Sequence, residues 1–228
     1  MLPFDVISDK KFEEYNEEEL KSGAVFLVDK PLDWTSFQVV NKLRWIIRKT
    51  FKIKKIKVGH AGTLDPLATG LLIICVGKKT KEIDTYQGKE KEYTGTITVG
   101  GTTASFDLEE EIDQTFPTEH ITEEELQAAA LKLTGEIEQY PPVFSAVKID
   151  GKRAYESARK GEDVKVKPRQ VSISKFDIDT SEFPKVHFTI ICSKGTYIRS
   201  MASDFGKLLD NGAHLSALRR ERIGEFSL

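Results

Sequence analysis

Six apolar residues in a row, Leu71-Leu-Ile-Ile-Cys-Val76, stand directly behind a glycine-punctuated loop, Val58-Gly-His-Ala-Gly-Thr-Leu-Asp65-Pro-Leu-Ala-Thr-Gly70. A run of that length is too short to cross a bilayer and too apolar for a surface, so it reads as a buried strand. Whatever the chain folds into must build core around this strand and carry the loop beside it. Gly59, Gly62 and Gly70 permit tight turns and close approach of backbone to a ligand. Pro66 keeps Asp65 out of helical geometry. One carboxylate is thereby presented from a stiff loop, which suits a nucleophile or a clamp. Taken residue by residue, an Asp before Pro is as readily a turn residue or helix cap, and His60 a hydrogen-bonded loop histidine.

The other periodic segments outline the fold. Ala24-Val-Phe-Leu-Val28 reads as a buried strand, and Thr35-Ser-Phe-Gln38 as a capping box opening a helix with an apolar stripe of Val39, Val40, Leu43, Ile46 and Ile47. Tyr93-Thr-Gly-Thr-Ile-Thr-Val99 alternates with period two, the pattern of an antiparallel strand covered on one side. Thr122-Glu-Glu-Glu125 starts a second capped helix that ends near Gly135. A short helix is expected from Arg153 to Lys160, strands at Val164–Val166, Val171–Ile178 and Val186–Cys192, and a helix from Tyr197 to Leu209. Strands outnumber helices without regular alternation. The fold class is therefore α+β, a mixed and mostly antiparallel sheet flanked by helices.

Charge is segregated rather than excessive. The 228 residues carry a net charge of −2, which argues against indiscriminate coating of nucleic acid. Yet the N-terminus is acid-rich (Glu13, Glu14, Glu17, Glu18, Glu19), whereas Lys42 to Lys57 includes Arg44, Arg48, Lys49, Lys52, Lys54 and Lys55 with no acid. A second basic region spans Lys148 to Arg169 and a third holds Arg219, Arg220 and Arg222. Such patches are either solvated faces or footprints for phosphate. Cys75 and Cys192 lie in apolar runs without metal-ligand spacing, as expected of buried thiols in a reducing compartment. No signal peptide, membrane span, phosphate-cradling loop or dinucleotide fingerprint is present, so a cytoplasmic protein without metal or other cofactor is expected.

The loop around Asp65 resembles the catalytic motif of the TruB family, the tRNA pseudouridine-55 synthases. Four further segments resemble that family's motifs in the same order: Asp29-Lys30-Pro31 with Trp34-Thr35-Ser36; Lys89-x-x-x-Tyr93; Cys192-Ser-Lys-Gly-Thr-Tyr-Ile-Arg199; and Gly212-Ala-His-Leu-x-x-Leu-Arg-Arg220. Pro141-Pro-Val-Phe-Ser-Ala-Val-Lys148 and Gly151-Lys-Arg-Ala-Tyr-Glu-Ser-Ala-Arg159 are similar to its insertion that grips the tRNA elbow. Two positions depart from the pattern. Asp33 stands where many members have Gly, and the usual acid near Ala104 is missing, although Asp107 fills the next acidic position.

The resemblance implies the pseudouridine-synthase fold and conversion of the T-loop uridine, position 55, into pseudouridine after base flipping. It makes Asp65 the nucleophile, with Arg199 pairing Asp65 and Asp107, Tyr93 stacking on the uracil and Tyr197 handling the C5 proton. His60 and Lys30 would help position the substrate. Arg44, Arg48, Lys148, Arg153, Arg159, Arg219 and Arg220 would contact RNA. The expected organisation is an acidic extension over residues 1–22, one catalytic domain over 23–228 with an insertion near 135–165, and no C-terminal PUA-like RNA-binding domain. The partner is tRNA, with no protein partner, no membrane and a monomeric state. A tRNA-folding chaperone with secondary catalysis is the competing reading.

Overall fold

The computed structural model describes residues 3–142, 148–149, 152–153 and 166–228. It divides into two compact units, Met1–Tyr93 with Leu218–Leu228, and Thr94–Ala217. Two long strands, β5 (Lys91–Val99) and β13 (Ala213–Ile223), contain the boundaries.

In the first unit the apolar run is the middle of β4 (Ala68–Val76), a strand buried at nearly every position. It earns that burial because partners flank it on both sides. β2 (Ala24–Lys30) runs antiparallel to it from Ala24↔Val76 to Lys30↔Gly70, and β13 lies parallel to it at Leu218↔Ala68 to Arg220↔Gly70. The order is β1 (Val6–Ile7), β2, β4, β13, with β3 (Val58–His60) also on β4 and β14 (Phe226–Ser227) on β13. Both faces of β4 are apolar because each meets its own cluster. Leu72, Ile74 and Val76 pack with Val39, Val40, Leu43 and Ile47 of helix α2 (Ser36–Thr50), while Leu71, Ile73 and Cys75 pack with Ala61 and Ile223, with Ile83 of the short helix α3 (Ile83–Gln87) against them. The capping box of α2 forms as its sequence prescribes: Thr35 accepts from the Gln38 amide and the Gln38 side chain accepts from the Thr35 amide. The acid-rich N-terminal residues pack into the same core. Phe4, Tyr15 and Leu20 are buried there, Leu20 from the short helix α1 (Glu17–Ser22) and Tyr15 edge-on against Phe26.

In the second unit the order is β13, β5, β12 (Lys185–Cys192), β11 (Arg169–Glu182), β8 (Gly135–Gln139), with β11 antiparallel to both neighbours. The alternation of β5 places Ile97 and Val99 in the core. Helices α4 (Glu123–Lys132) and α5 (Ile198–Leu208) supply Leu126, Met201 and Phe205, the last packed against Phe176 of β11. A small hairpin, β6 (Gly101–Thr103) with β7 (Ile112–Thr115), stands apart from this sheet, as does the pair β9 (Lys148–Ile149) and β10 (Lys152–Arg153). The expected α+β, mostly antiparallel architecture is what forms. Of the helix expected from Arg153 to Lys160, Arg153 ends β10 and the rest lies outside the described residues, as do positions 164 and 165 of the strand expected at Val164–Val166.

Candidate active site

Asp65 ends a loop held on three sides. Ser36, at the first turn of α2, donates its hydroxyl to the Leu64 carbonyl (3.0 Å) and accepts from the Leu64 amide (2.8 Å), which ties the residue before Asp65 to a buried helix start. Lys30, at the end of β2, donates to the carbonyls of Pro31 (2.8 Å), Trp34 (2.6 Å) and Pro66 (3.2 Å), so the residue after Asp65 is also fixed. Arg220, from β13, donates to the carbonyls of Leu71 (2.7 Å) and Gly62 (3.1 Å). Gly70 is required here in the left-handed region, because a Cβ would sit 2.3 Å from the Arg220 carbonyl. Asp65 itself is partly buried.

The charges in this unit follow from burial. Lys30 has no solvent exposure, and burial pulls its ammonium down to about 8, against the opposing pull of the Asp65 and Asp33 carboxylates. His60 is pushed below its ordinary value by burial first and the Arg220 guanidinium second, so it is a neutral imidazole at neutral pH. Asp33 sits at φ +65° with its amide donating to the Pro66 carbonyl (3.0 Å). That left-handed backbone explains why glycine suits this position, and why Asp is tolerated where a β-branched residue would not be.

In the second unit, Arg199 on the first turn of α5 is 5% exposed and Asp107 4%. The Arg199 Nε lies 3.5 Å from the Asp107 carboxylate and Nη1 donates to the Ser105 carbonyl (3.2 Å). Asp107 is itself oriented, accepting from the Ser105 hydroxyl (2.6 Å) and the Glu109 amide (3.1 Å). A buried ion pair of this kind is costly to break, at about 3–5 kcal/mol when one partner is removed. Of the two carboxylates expected to pair with Arg199, this geometry concerns Asp107. Tyr197 immediately precedes α5 and is partly buried, and Tyr93 of the first unit is 8% exposed on β5.

The basic residues divide by environment. Arg48 is exposed on α2, and Arg44 donates to Asn41 and to the Val58 carbonyl while remaining partly open. Between them Trp45 is 53% exposed, with the Lys42 and Lys49 ammoniums 5.1 and 4.9 Å from its ring centre. Two of the expected RNA contacts have partners within the protein. Arg220 is 1% exposed, its guanidinium turned inward to loop carbonyls, and Arg219 makes a two-pronged ion pair with Asp29 (3.0 and 2.9 Å). Strand alternation on β13, invisible in the string Arg219-Arg220-Glu221-Arg222, turns the two adjacent arginines to opposite faces. The side chains of Lys148, Arg153 and Arg159 lie outside the described residues. Sequence reasoning gave no individual role to Ser36, Gln139 or Arg169. Ser36 was legible as part of a capping box and a motif, Arg169 as the end of a basic region, and Gln139 carried no local signal.

Residues 48–198, well over half of the chain, match the family described as TruB family pseudouridylate synthase, N terminal domain. The chain belongs to the TruB family. Among its TruB relatives, the tRNA pseudouridine synthase B of Flavobacterium johnsoniae is 55% identical over 212 residues, covering 92% of this chain and 93% of that protein. The protein of the same name from Phocaeicola vulgatus is 55% identical over 208 residues, 91% of this chain and 88% of that one. Among solved structures, a chain from a Cbf5-Nop10-Gar1 complex superposes with a TM-score of 0.68 at 27% identity. The match takes in 99% of this chain and 60% of that longer one. The TruB chain thus has the pseudouridine-synthase fold.

Proposed function

We propose that the protein isomerises the T-loop uridine of tRNA, position 55, to pseudouridine, with Asp65 as the nucleophilic carboxylate. Membership of a pseudouridylate synthase family supports the reaction, and the relatives named tRNA pseudouridine synthase B support the substrate. The observation that carries the role of Asp65 is its loop, clamped by Ser36, Lys30 and Arg220 so that one carboxylate is held in place. The reaction breaks the C1′–N1 bond, turns the freed uracil and rejoins it through C5, whose proton leaves. Substrate and product contain the same atoms, so the step needs an anionic group, a retained base and a proton acceptor. A carboxylate, with an ordinary pKa of about 3.9, is already ionised at neutral pH.

In this reading Tyr93 stacks on the flipped base, Tyr197 serves the C5 proton, Arg199 with Asp107 supplies the fixed positive charge, and neutral His60 meets the loop nucleotides. The exposed cations of α2, with Lys148, Arg153 and Arg159 of the insertion, take the phosphates. Incubation with a T-loop minihelix tritiated at uracil C5 tests the assignment. Wild type releases tritium, whereas Asp65→Asn binds the RNA and releases none. Release by Asp65→Asn at the wild-type rate refutes the nucleophile. Undiminished refolding of tRNA by Asp65→Asn would favour the chaperone reading as an additional role.

A further inference from the structure

Tyr197 occupies a helix N-cap position, yet a tyrosine cannot accept from the free amides there, and no side-chain cap bond forms. Something else must hold it. The Gln139 side chain, with no solvent exposure, meets the Tyr197 main chain on both sides: the Tyr197 amide donates to Oε1 (2.8 Å) and Nε2 donates to the Tyr197 carbonyl (3.1 Å). Only an amide offers an acceptor and a donor at that spacing; a carboxylate lacks the donor and an aliphatic side chain lacks both. Arg169, the cross-strand partner of Gln139 where β11 meets β8, places its guanidinium 5.2 Å from the Tyr197 ring centre. The turn before Tyr197 passes beside it. Gly195 lies at φ +83°, and a Cβ there would stand 3.5 Å from the Arg169 Nη1.

We propose that Gln139 and Arg169 are positioning residues for the reaction, one fixing the main chain of Tyr197 and the other the face of its ring. The two come from a single rung of the sheet, so backbone and ring are referred to the same rigid element. Arg169 thereby leaves the general basic patch and acquires a specific duty. A phenol serving a proton transfer must keep its oxygen within hydrogen-bond reach of the reacting carbon's proton, where small displacements cost rate. Ser200, one turn into α5, donates to the Tyr140 carbonyl (2.7 Å) and keeps the same strand end against the helix.

This inference rests on the assignment of Tyr197 above, and the experiment separates the two. Single-turnover tritium release, tRNA affinity and thermal midpoint are measured for Arg169→Met, Arg169→Lys and Gln139→Met, each alone and in a Tyr197→Ala background. Arg169→Met slows release by about two- to thirty-fold, the span of a cation–π contact, with affinity unchanged. Arg169→Lys, which keeps a cation over the ring, restores most of the rate. Gln139→Met slows release as well, and in the Tyr197→Ala background none of the three substitutions slows it further. Weaker tRNA binding with unchanged chemistry in Arg169→Met would make it a phosphate contact and overturn the proposal. So would equal slowing in both backgrounds. Release unaffected by Tyr197→Ala itself would instead remove Tyr197 from the reaction. Should Gln139→Met fail to fold, Gln139→Glu, which keeps the acceptor and loses the donor, gives the same comparison.

Discussion

Replacing Lys30 by Met separates the brace of the Asp65 loop from its charge. Methionine keeps the length of the chain and removes the ammonium that serves three carbonyls. One of these, Pro66, retains the Asp33 amide as a donor, so two carbonyls, those of Pro31 and Trp34, lose the Lys30 bond. At no more than about 1–3 kcal/mol for each partly buried carbonyl left without its donor, the loss is at most roughly 2–6 kcal/mol. Against it stands the burden of a charge with no solvent exposure, whose pKa has fallen from 10.5 to about 8. At 1.36 kcal/mol per unit that burden is on the order of 3 kcal/mol, which the substitution relieves. The net change at neutral pH is therefore small, from about 1 kcal/mol of stabilisation to about 3 kcal/mol of destabilisation, while activity drops far more because the loop is released.

The sign with pH is opposite to that of a salt-bridged lysine. Below pH 8 folded and unfolded chains both carry the charge, and the folded one bears the full cost. As pH rises towards 10.5 the folded chain gives up its proton first, and wild type gains stability relative to Lys30→Met. Urea denaturation of both proteins at about pH 7 and about pH 10 reads the change directly. A stability difference that stays flat across that range would show that Lys30 is not a buried ammonium and would refute the account.

Three further outcomes follow from the same geometry. Because burial and Arg220 hold His60 below its ordinary pKa, the unfolded chain takes up this proton first, so stability falls as pH drops below about 6.5; His60→Gln should flatten that part of the profile in thermal melts. Asp33→Gly removes a left-handed non-glycine residue and should raise stability by up to about 1 kcal/mol, whereas Asp33→Val should lower it, as read by denaturant midpoint. Trp45 fluorescence, isolated by Trp34→Phe, should change on adding tRNA, and Arg48→Ala should weaken binding and reduce the slope of log affinity against log salt by about one; an unaltered slope would remove α2 from the RNA surface.

How far the sequence could be read depended on whether a signal was local. The apolar run at Leu71–Val76, the alternation of Tyr93–Val99 and the two capping boxes each specify a conformation within a few residues, and each forms. The loop around Asp65 was conspicuous because glycine and proline constrain backbone directly. What holds that loop was not, since Ser36 and Leu64 are 28 residues apart and Arg220 reaches Leu71 across 149. Charge was the most misleading cue. Adjacent arginines on a strand face opposite ways, so Arg220 turned inward while Arg219 found Asp29. Gln139 carried no local signal; only the register of β8 on β11, which sets it opposite Arg169, and its bonds to the Tyr197 main chain give it a place.

The N-terminal packing has a practical consequence. Phe4, Tyr15 and Leu20 bring the ring of Phe26 and the inner side of α2 under cover, each contributing on the order of 1.5–3 kcal/mol when fully sheltered. Trimming the chain back to Gly23 would strip a greasy seam bare beside the very helix that anchors the Asp65 loop. A purification tag belongs upstream of these residues, never in their place.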